Sequence, residues 1–158
     1  MTDSFKHIPP MEKLERRRLP GCSFLIPRGA EVVTFDLDGM VSGRVVALLY
    51  GVTHRVDIRP LKDAAASAKT LAEEFFTQAD PAYAEDNQAP TALAFKGGDA
   101  WRVKRRFIDG FEAPLILEAA YFQKGAVIYE VGYAALPADF NNGRWIFETV
   151  LSGFEIDG

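Results

Sequence analysis

The 158-residue chain has one cysteine, two histidines and no overall excess of basic charge. Each shortage excludes something. A single thiol, Cys22, forbids an intramolecular disulfide. His7, His54 and Cys22 are too few and too scattered to read as a metal site, and a small buried apolar group is the default for Cys22. No apolar run reaches the length of a membrane-spanning helix, so no membrane span is expected. Acidic residues outnumber basic ones, 22 to 18, for a formal net charge of −4, and this argues against nucleic acid as a partner. There is no Gly-x-Ser-x-Gly element, no internal repeat and no heptad pattern. What is present, 48% hydrophobic and 25% charged residues, suits one domain with a sizeable core.

The informative stretch is 114–154. Two apolar runs, Leu115–Phe122 and Ala126–Ala134, flank Gln123-Lys124-Gly125 and predict a β-hairpin turning at Lys124-Gly125. That turn would set Phe122 opposite Val127, Ala120 opposite Tyr129, Glu118 opposite Val131 and Tyr121 opposite Ile128. Both faces of the hairpin are apolar, so both need cover, which predicts helices or loops above and below the sheet, in three layers. Glu118 and Glu130 stand out in these strands; a buried carboxylate needs a partner, so an ion pair with a neighbouring arginine or a position at the strand's wet end is expected ahead of catalysis. Phe140, Phe147, Leu151 and Phe154 share one face of a helix opened by Pro137, with Asp139 at its positive end and Ser152-Gly153 at its close. Asn141-Asn142-Gly143 is a weak spot that could delay the helix start. Trp145 lies off the main stripe, as a packing residue or an exposed partner contact.

In chain order, residues 1–20 read as a flexible or loosely docked arm, and 21–158 as a single domain. Arg16-Arg17-Arg18 and Leu19-Pro20-Gly21-Cys22 imitate export and lipidation signals, but neither has the apolar segment such signals require. A cytoplasmic location is therefore expected. Strands are predicted near 22–26, 31–37, 44–50 and 54–61, then a helix over 63–79 capped by Asp63 and stopped by Pro81. Residues 81–90 read as a loop, and two strands follow in 93–108. In the second of these, Trp101, Val103, Arg105 and Phe107 point one way and Arg102, Lys104 and Arg106 the other. That basic row is a candidate surface for an anionic partner, against the plainer reading of a solvated face or cross-strand pairing with an acid such as Asp57.

Val32-Val33-Thr34-Phe35-Asp36-Leu37-Asp38-Gly39 resembles the first motif of the haloacid-dehalogenase-like phosphatases. The resemblance implies Asp36 as nucleophile and Asp38 as acid/base beside Mg²⁺. The later family motifs are missing, and Asp38-Gly39 is also a strong hairpin-turn dipeptide.

The element order, with Phe24-Leu25-Ile26-Pro27-Arg28-Gly29 near the start, Gly98-Asp99-Ala100-Trp101-Arg102 entering a strand and Leu151-Ser152-Gly153-Phe154 at the close, resembles the Mog1/PsbP-like superfamily over residues 21–156. The resemblance implies an α+β fold, an antiparallel β-sheet flanked by helices on both faces. It also implies a binding or adaptor role without enzymatic chemistry. The expectation is thus a protein-binding module with another protein as partner or a second copy in a homodimer, no cofactor, and Arg102, Lys104, Arg106 and Trp145 as candidate contacts. A Mg²⁺ phosphatase using Asp36 and Asp38, and a small hydrophobic ligand carrier, are the alternatives.

Overall fold

The computed structural model describes residues 13–61, 66–108 and 113–158. In chain order the elements are β1 (Leu14–Leu19), β2 (Cys22–Pro27), β3 (Glu31–Leu37), β4 (Met40–Leu49), β5 (Val52–Leu61), α1 (Ala68–Phe76), a 3-10 helix (Pro81–Asp86), β6 (Gln88–Leu93), β7 (Asp99–Ile108), β8 (Pro114–Lys124), β9 (Val127–Ala135), α2 (Pro137–Ser152) and β10 (Glu155–Ile156). Seven strands form one antiparallel sheet in the order β3-β4-β5-β9-β8-β7-β6, and three form a small sheet in the order β1-β2-β10.

The alternation of β8 divides the core. Ile116, Ala120 and Phe122 join the larger cluster, with Phe24 and Ile26 of β2, Val45, Val56 and Ile58 of the large sheet, and Phe140, Phe147 and Val150 of α2. Ala119 and Tyr121 join a smaller cluster with Val103 and with Ala68 and Ala72 of α1, whose small side chains let the helix lie close to the strands. Successive residues of one strand thus serve two cores, which is why the hairpin reads as apolar on both faces.

Several expectations change. The arm expected over 1–20 gives way at Leu14: Leu14–Leu19 pairs with β2 along its whole length, and Leu19 is buried. Residues 1–12 lie outside the described residues. The second helix pattern starts at Ala68, not near Asp63, which also lies outside them. Ser67 is the N-cap, its hydroxyl accepting from the Thr70 N–H at 3.1 Å. The loop expected over 81–90 is half ordered, a 3-10 helix followed by β6 from Gln88. The β8–β9 turn sits one residue later than Lys124-Gly125, so Lys124 faces Val127, Phe122 faces Tyr129 and Tyr121 faces Glu130. A one-residue move of the turn shifts every partner by two and leaves each side chain on its expected face.

Helix α2 runs unbroken from Pro137 through Gly143. Gly143 is not a weak spot but the place where the helix passes over His54. That imidazole is buried. The Tyr133 hydroxyl donates to the Phe140 carbonyl at 2.9 Å, so its oxygen accepts from His54 Nδ1 at 3.2 Å. The proton is therefore on Nδ1, and Nε2 is left buried with no partner among the described residues. A second proton would place an unpaired charge in the core, and burial lowers the His54 pKa below its ordinary 6.5 against a weaker opposing pull from Asp139. A depressed folded pKa gives stability that is complete above the unfolded value and is lost as pH falls through the folded value. An NMR titration of the His54 ring is expected to show a midpoint below 6.5, with the unfolding midpoint falling over the same interval. A ring titrating at or above 6.5 would contradict this picture of the core.

Candidate functional site

The expected basic row comes first. Arg102 does not face solvent. With Arg144 it encloses Glu118, which is 1% exposed. Arg144 donates to the Glu118 carboxylate through Nε at 2.8 Å and Nη2 at 3.1 Å, and Arg102 donates through Nη2 at 2.6 Å. Arg102 also binds Glu148 of α2. Burial alone would raise the Glu118 pKa, but hydrogen bonds and charge from Arg144 and Arg102 overcome that and hold it below the usual carboxylate value. Lys104 lies over the Phe140 ring at 5.6 Å. Arg106 pairs with Asp86 at 2.7 Å and stacks on Tyr83. Trp145 is half-buried against the larger core. The row expected to meet a partner is therefore engaged within the chain. Its acids are Glu118, Glu148 and Asp86; Asp57 pairs elsewhere, with Arg44 at 2.6 Å.

Asp38 and Gly39 form the two-residue β3–β4 turn, with φ of 53° and 79°, the left-handed pair such a hairpin requires. Asp36 is exposed, and among the described residues no group of three His, Cys, Asp or Glu side chains is placed to hold a metal. Cys22 is wholly buried, and burial pushes its thiol up to about 12, so it is inert at neutral pH.

The feature that collects chemistry is on the other side of the large sheet. Helix α1 is nine residues long and packs on β6, β7 and β8. Beyond it, the face built by β9, β5, β4 and β3 is a concave cleft of about 740 Å³. Its floor is small: a Cβ added to Gly132 would meet nothing within 4 Å, and Ala119 and Ala134 lie beside it. One wall is Phe75 and Arg105; the other is Phe35, Leu37 and Arg44. Arg55, Asp57 and Arg59 project from alternate positions of β5, and Glu130 from β9. Glu118 also borders the floor, but its carboxylate is the one held by Arg102 and Arg144 on the opposite face.

The charges in this cleft do not cancel. Arg44 pairs with Asp57, and Arg59 Nε donates to Glu130 at 2.6 Å, with the Tyr121 hydroxyl on the second Glu130 oxygen at 2.7 Å. Arg55 is exposed and makes no ion pair among the described residues. Arg105 stacks on the Phe75 ring at 4.1 Å and donates one Nη1 bond to the Phe75 carbonyl at 2.9 Å, while its Nε has no partner among the described residues. Burial lowers the Arg105 pKa, partly offset by Tyr121 and Glu130. Four guanidinium groups thus face two carboxylates, in a chain of net charge −4. The large exposed apolar side chains Val33 and Leu37 of β3 and Leu48 of β4 share this face by strand alternation and register. Fixed arginines beside apolar side chains are the composition that receives carboxylates attached to an apolar body.

Sequence reasoning passed over this site. It set Arg105 on the apolar row of β7 and marked 54–61 as a strand without singling out its arginines. The available signal was the alternation of that strand, two arginines on its polar side with one intervening acid.

A second cavity, of about 510 Å³, lies among Arg16, Leu25, Phe95, Lys96, Lys124 and Phe154. Two of its cations are tied to backbone carbonyls, Arg16 to Gly153 and Lys124 to Ile156, which makes it a joint holding the chain end in place.

No family model and no curated protein matches the chain. Solved structures do. Cyanobacterial PsbP (CyanoP) from Synechocystis sp. PCC 6803 aligns over 94% of this chain and 95% of its own, with a TM-score of 0.59 and 16% identity. LpqN, involved in cell envelope biogenesis of Mycobacterium tuberculosis, aligns over 92% of both chains, with a TM-score of 0.63 and 12% identity. A protein from Bacteroides thetaiotaomicron aligns over 92% of this chain and 48% of its own, with a TM-score of 0.54. At these identities the likeness is one of fold: the chain has the mostly antiparallel, α+β Mog1/PsbP-like fold.

Proposed function

We propose that this Mog1/PsbP-like chain is a non-catalytic protein-binding module, and that the arginine-lined cleft is its recognition surface for an acidic, partly apolar segment of another protein. This reading takes as its frame the layered form of the fold, with α1 on one face and α2 on the other. The observation that carries it is the surplus of guanidinium over carboxylate in a concave face of an otherwise acidic chain. Arg55 and Arg105 are the groups with unspent capacity, and the Arg44–Asp57 pair is exposed enough to exchange partners at little cost. A cytoplasmic location belongs to the same proposal and is checked by cell fractionation.

The test is selection of random peptides on the immobilised protein. Selected sequences are expected to be rich in Asp and Glu interspersed with aromatic or aliphatic residues. Their binding should weaken as salt rises and fall by about tenfold or more in an Arg55→Glu/Arg105→Glu variant, on the order of 1.5–3 kcal/mol for each charge-assisted bond lost. Selection of peptides with no acidic enrichment, or equal binding to the variant, would defeat the reading. A carrier of small carboxylate-bearing apolar molecules is the second reading, favoured by a cavity volume within the usual small-molecule range of roughly 300–1,000 Å³. Thermal shift against a metabolite panel distinguishes it.

A further inference from the structure

Among the described residues the outer side of β3 is an open sheet edge, and we propose that it pairs with β3 of a second copy, antiparallel, about a dyad through Thr34. Open edges are usually blunted, by shortness, proline, basic residues or bulges. The others in this chain are. Strand β6 carries Pro90 and a register break between Gln88 and Thr91; β1 carries Arg16, Arg17 and Arg18; β10 has two residues. Strand β3 has none of these devices, its only charges being the acids Glu31 and Asp36. Its seven residues contain no Pro, Lys or Arg, and its register with β4 is unbroken from Glu31 to Leu37.

The β3–β4 turn determines which backbone groups are free. A two-residue turn makes Leu37–Met40 a hydrogen-bonded pair, and alternation makes Phe35–Ser42, Val33–Arg44 and Glu31–Val46 hydrogen-bonded as well. Val32, Thr34 and Asp36 therefore direct their N–H and C=O groups outward. A dyad at Thr34 brings these three positions together as hydrogen-bonded pairs: Thr34 with Thr34 of the second copy, and Val32 with Asp36 in each direction. Between them Val33 faces Phe35, twice, on the side of the cleft. Val33 is 49% exposed in the single chain, so this contact covers apolar surface. Neither acid of the strand meets another, since Glu31 falls opposite Leu37 and Asp36 opposite Val32. Thr–Thr and aromatic–β-branched pairs are favourable cross-strand combinations. The same strand on itself thus satisfies backbone, apolar and charge requirements in one register, as an isologous interface demands.

Phe35 and Leu37 also wall the cleft, so association is measured on the chain alone, without peptide. The test is sedimentation velocity of the full chain over a roughly hundredfold concentration range. The wild type is expected to pass from monomer to dimer. Thr34→Pro removes the outward N–H at the dyad and spares the β3–β4 ladder, as proline on an edge strand does. It should weaken association by on the order of tenfold or more with an unchanged melting temperature. Thr34→Lys sets two ammonium groups face to face and should do the same, which decides the matter if the proline variant does not fold. A wild type that stays monomeric throughout overturns the proposal and leaves the edge to a strand from a different protein. Dimers undiminished in both variants overturn it as well.

Discussion

Replacing Glu118 by Ala is expected to destabilise the protein by about 3–5 kcal/mol, a large share of the roughly 5–15 kcal/mol that holds a typical domain folded. The expectation follows from the geometry around one carboxylate. Glu118 is almost wholly buried between β7, β8 and α2 and receives bonds from both Arg102 and Arg144. With the carboxylate gone, two guanidinium groups remain on the inner face of α2, with only the half-exposed Glu148 between them. The penalty is chiefly that of stranding cations away from water, so a variant that removes all three groups, Glu118→Leu with Arg102→Met and Arg144→Met, should recover most of the loss. Denaturant unfolding measures both. A loss below about 1 kcal/mol for Glu118→Ala would mean that the network is solvated and contributes little. The pH dependence has a definite sign. Because the folded pKa of Glu118 is depressed, its contribution is present above the ordinary carboxylate value of 4.5 and disappears as pH falls through the folded value. Glu118→Gln should flatten the stability curve in that acid interval and leave the His54 portion, nearer neutrality, in place.

The second large effect reverses a rule of helix design. Exposed helical glycines gain about 1 kcal/mol when changed to alanine. Gly143→Ala is expected to cost about 1–3 kcal/mol instead, as overpacking does in a filled core. An added Cβ would lie 2.5 Å from Cγ and 2.6 Å from Cε1 of His54, and nearer still to Nδ1. The ring cannot step aside, because it is 3% exposed and tied through Nδ1 to Tyr133. In a His54→Ala background the obstacle is gone, and Gly143→Ala should become neutral or stabilising. That change of sign in a double-mutant cycle identifies the contact. Equal effects in both backgrounds would mean the glycine serves backbone conformation alone.

These two sites also show what was legible in the chain. Glu118 could be found from sequence because a carboxylate in an apolar strand has few options, an arginine partner or the strand's wet end. Which arginines could not be found, since that required knowing that α2 crosses β8 with Arg144 facing inward. The basic row of β7 was legible as a row, but whether it met a partner, solvent or paired acids was not, because strand alternation gives the face of a residue and not what covers that face. Gly143 looked like a helix flaw for a related reason: propensity is local, and the imidazole it accommodates lies 89 positions earlier in the chain. The β8–β9 register was missed by one turn position. The face assignment survived, because moving the turn by one residue preserves parity, but the pairing of Tyr121 with Glu130 was lost with it. The cleft was least legible of all. It exists because α1 ends after nine residues and leaves β9, β5, β4 and β3 beyond its reach, a matter of tertiary extent that no local pattern encodes.

On the proposed function, this open face, and not the basic row under α2, meets a partner. Amide chemical shifts followed during titration with an unstructured peptide alternating Glu and Leu test it most directly. Shifts are predicted to concentrate on β4, β5 and β9 around Arg44, Arg55, Arg59 and Gly132, to saturate, and to vanish in the Arg55→Glu/Arg105→Glu variant. Saturable shifts clustered elsewhere on the surface, or shifts at the cleft that survive the charge reversal, would contradict it.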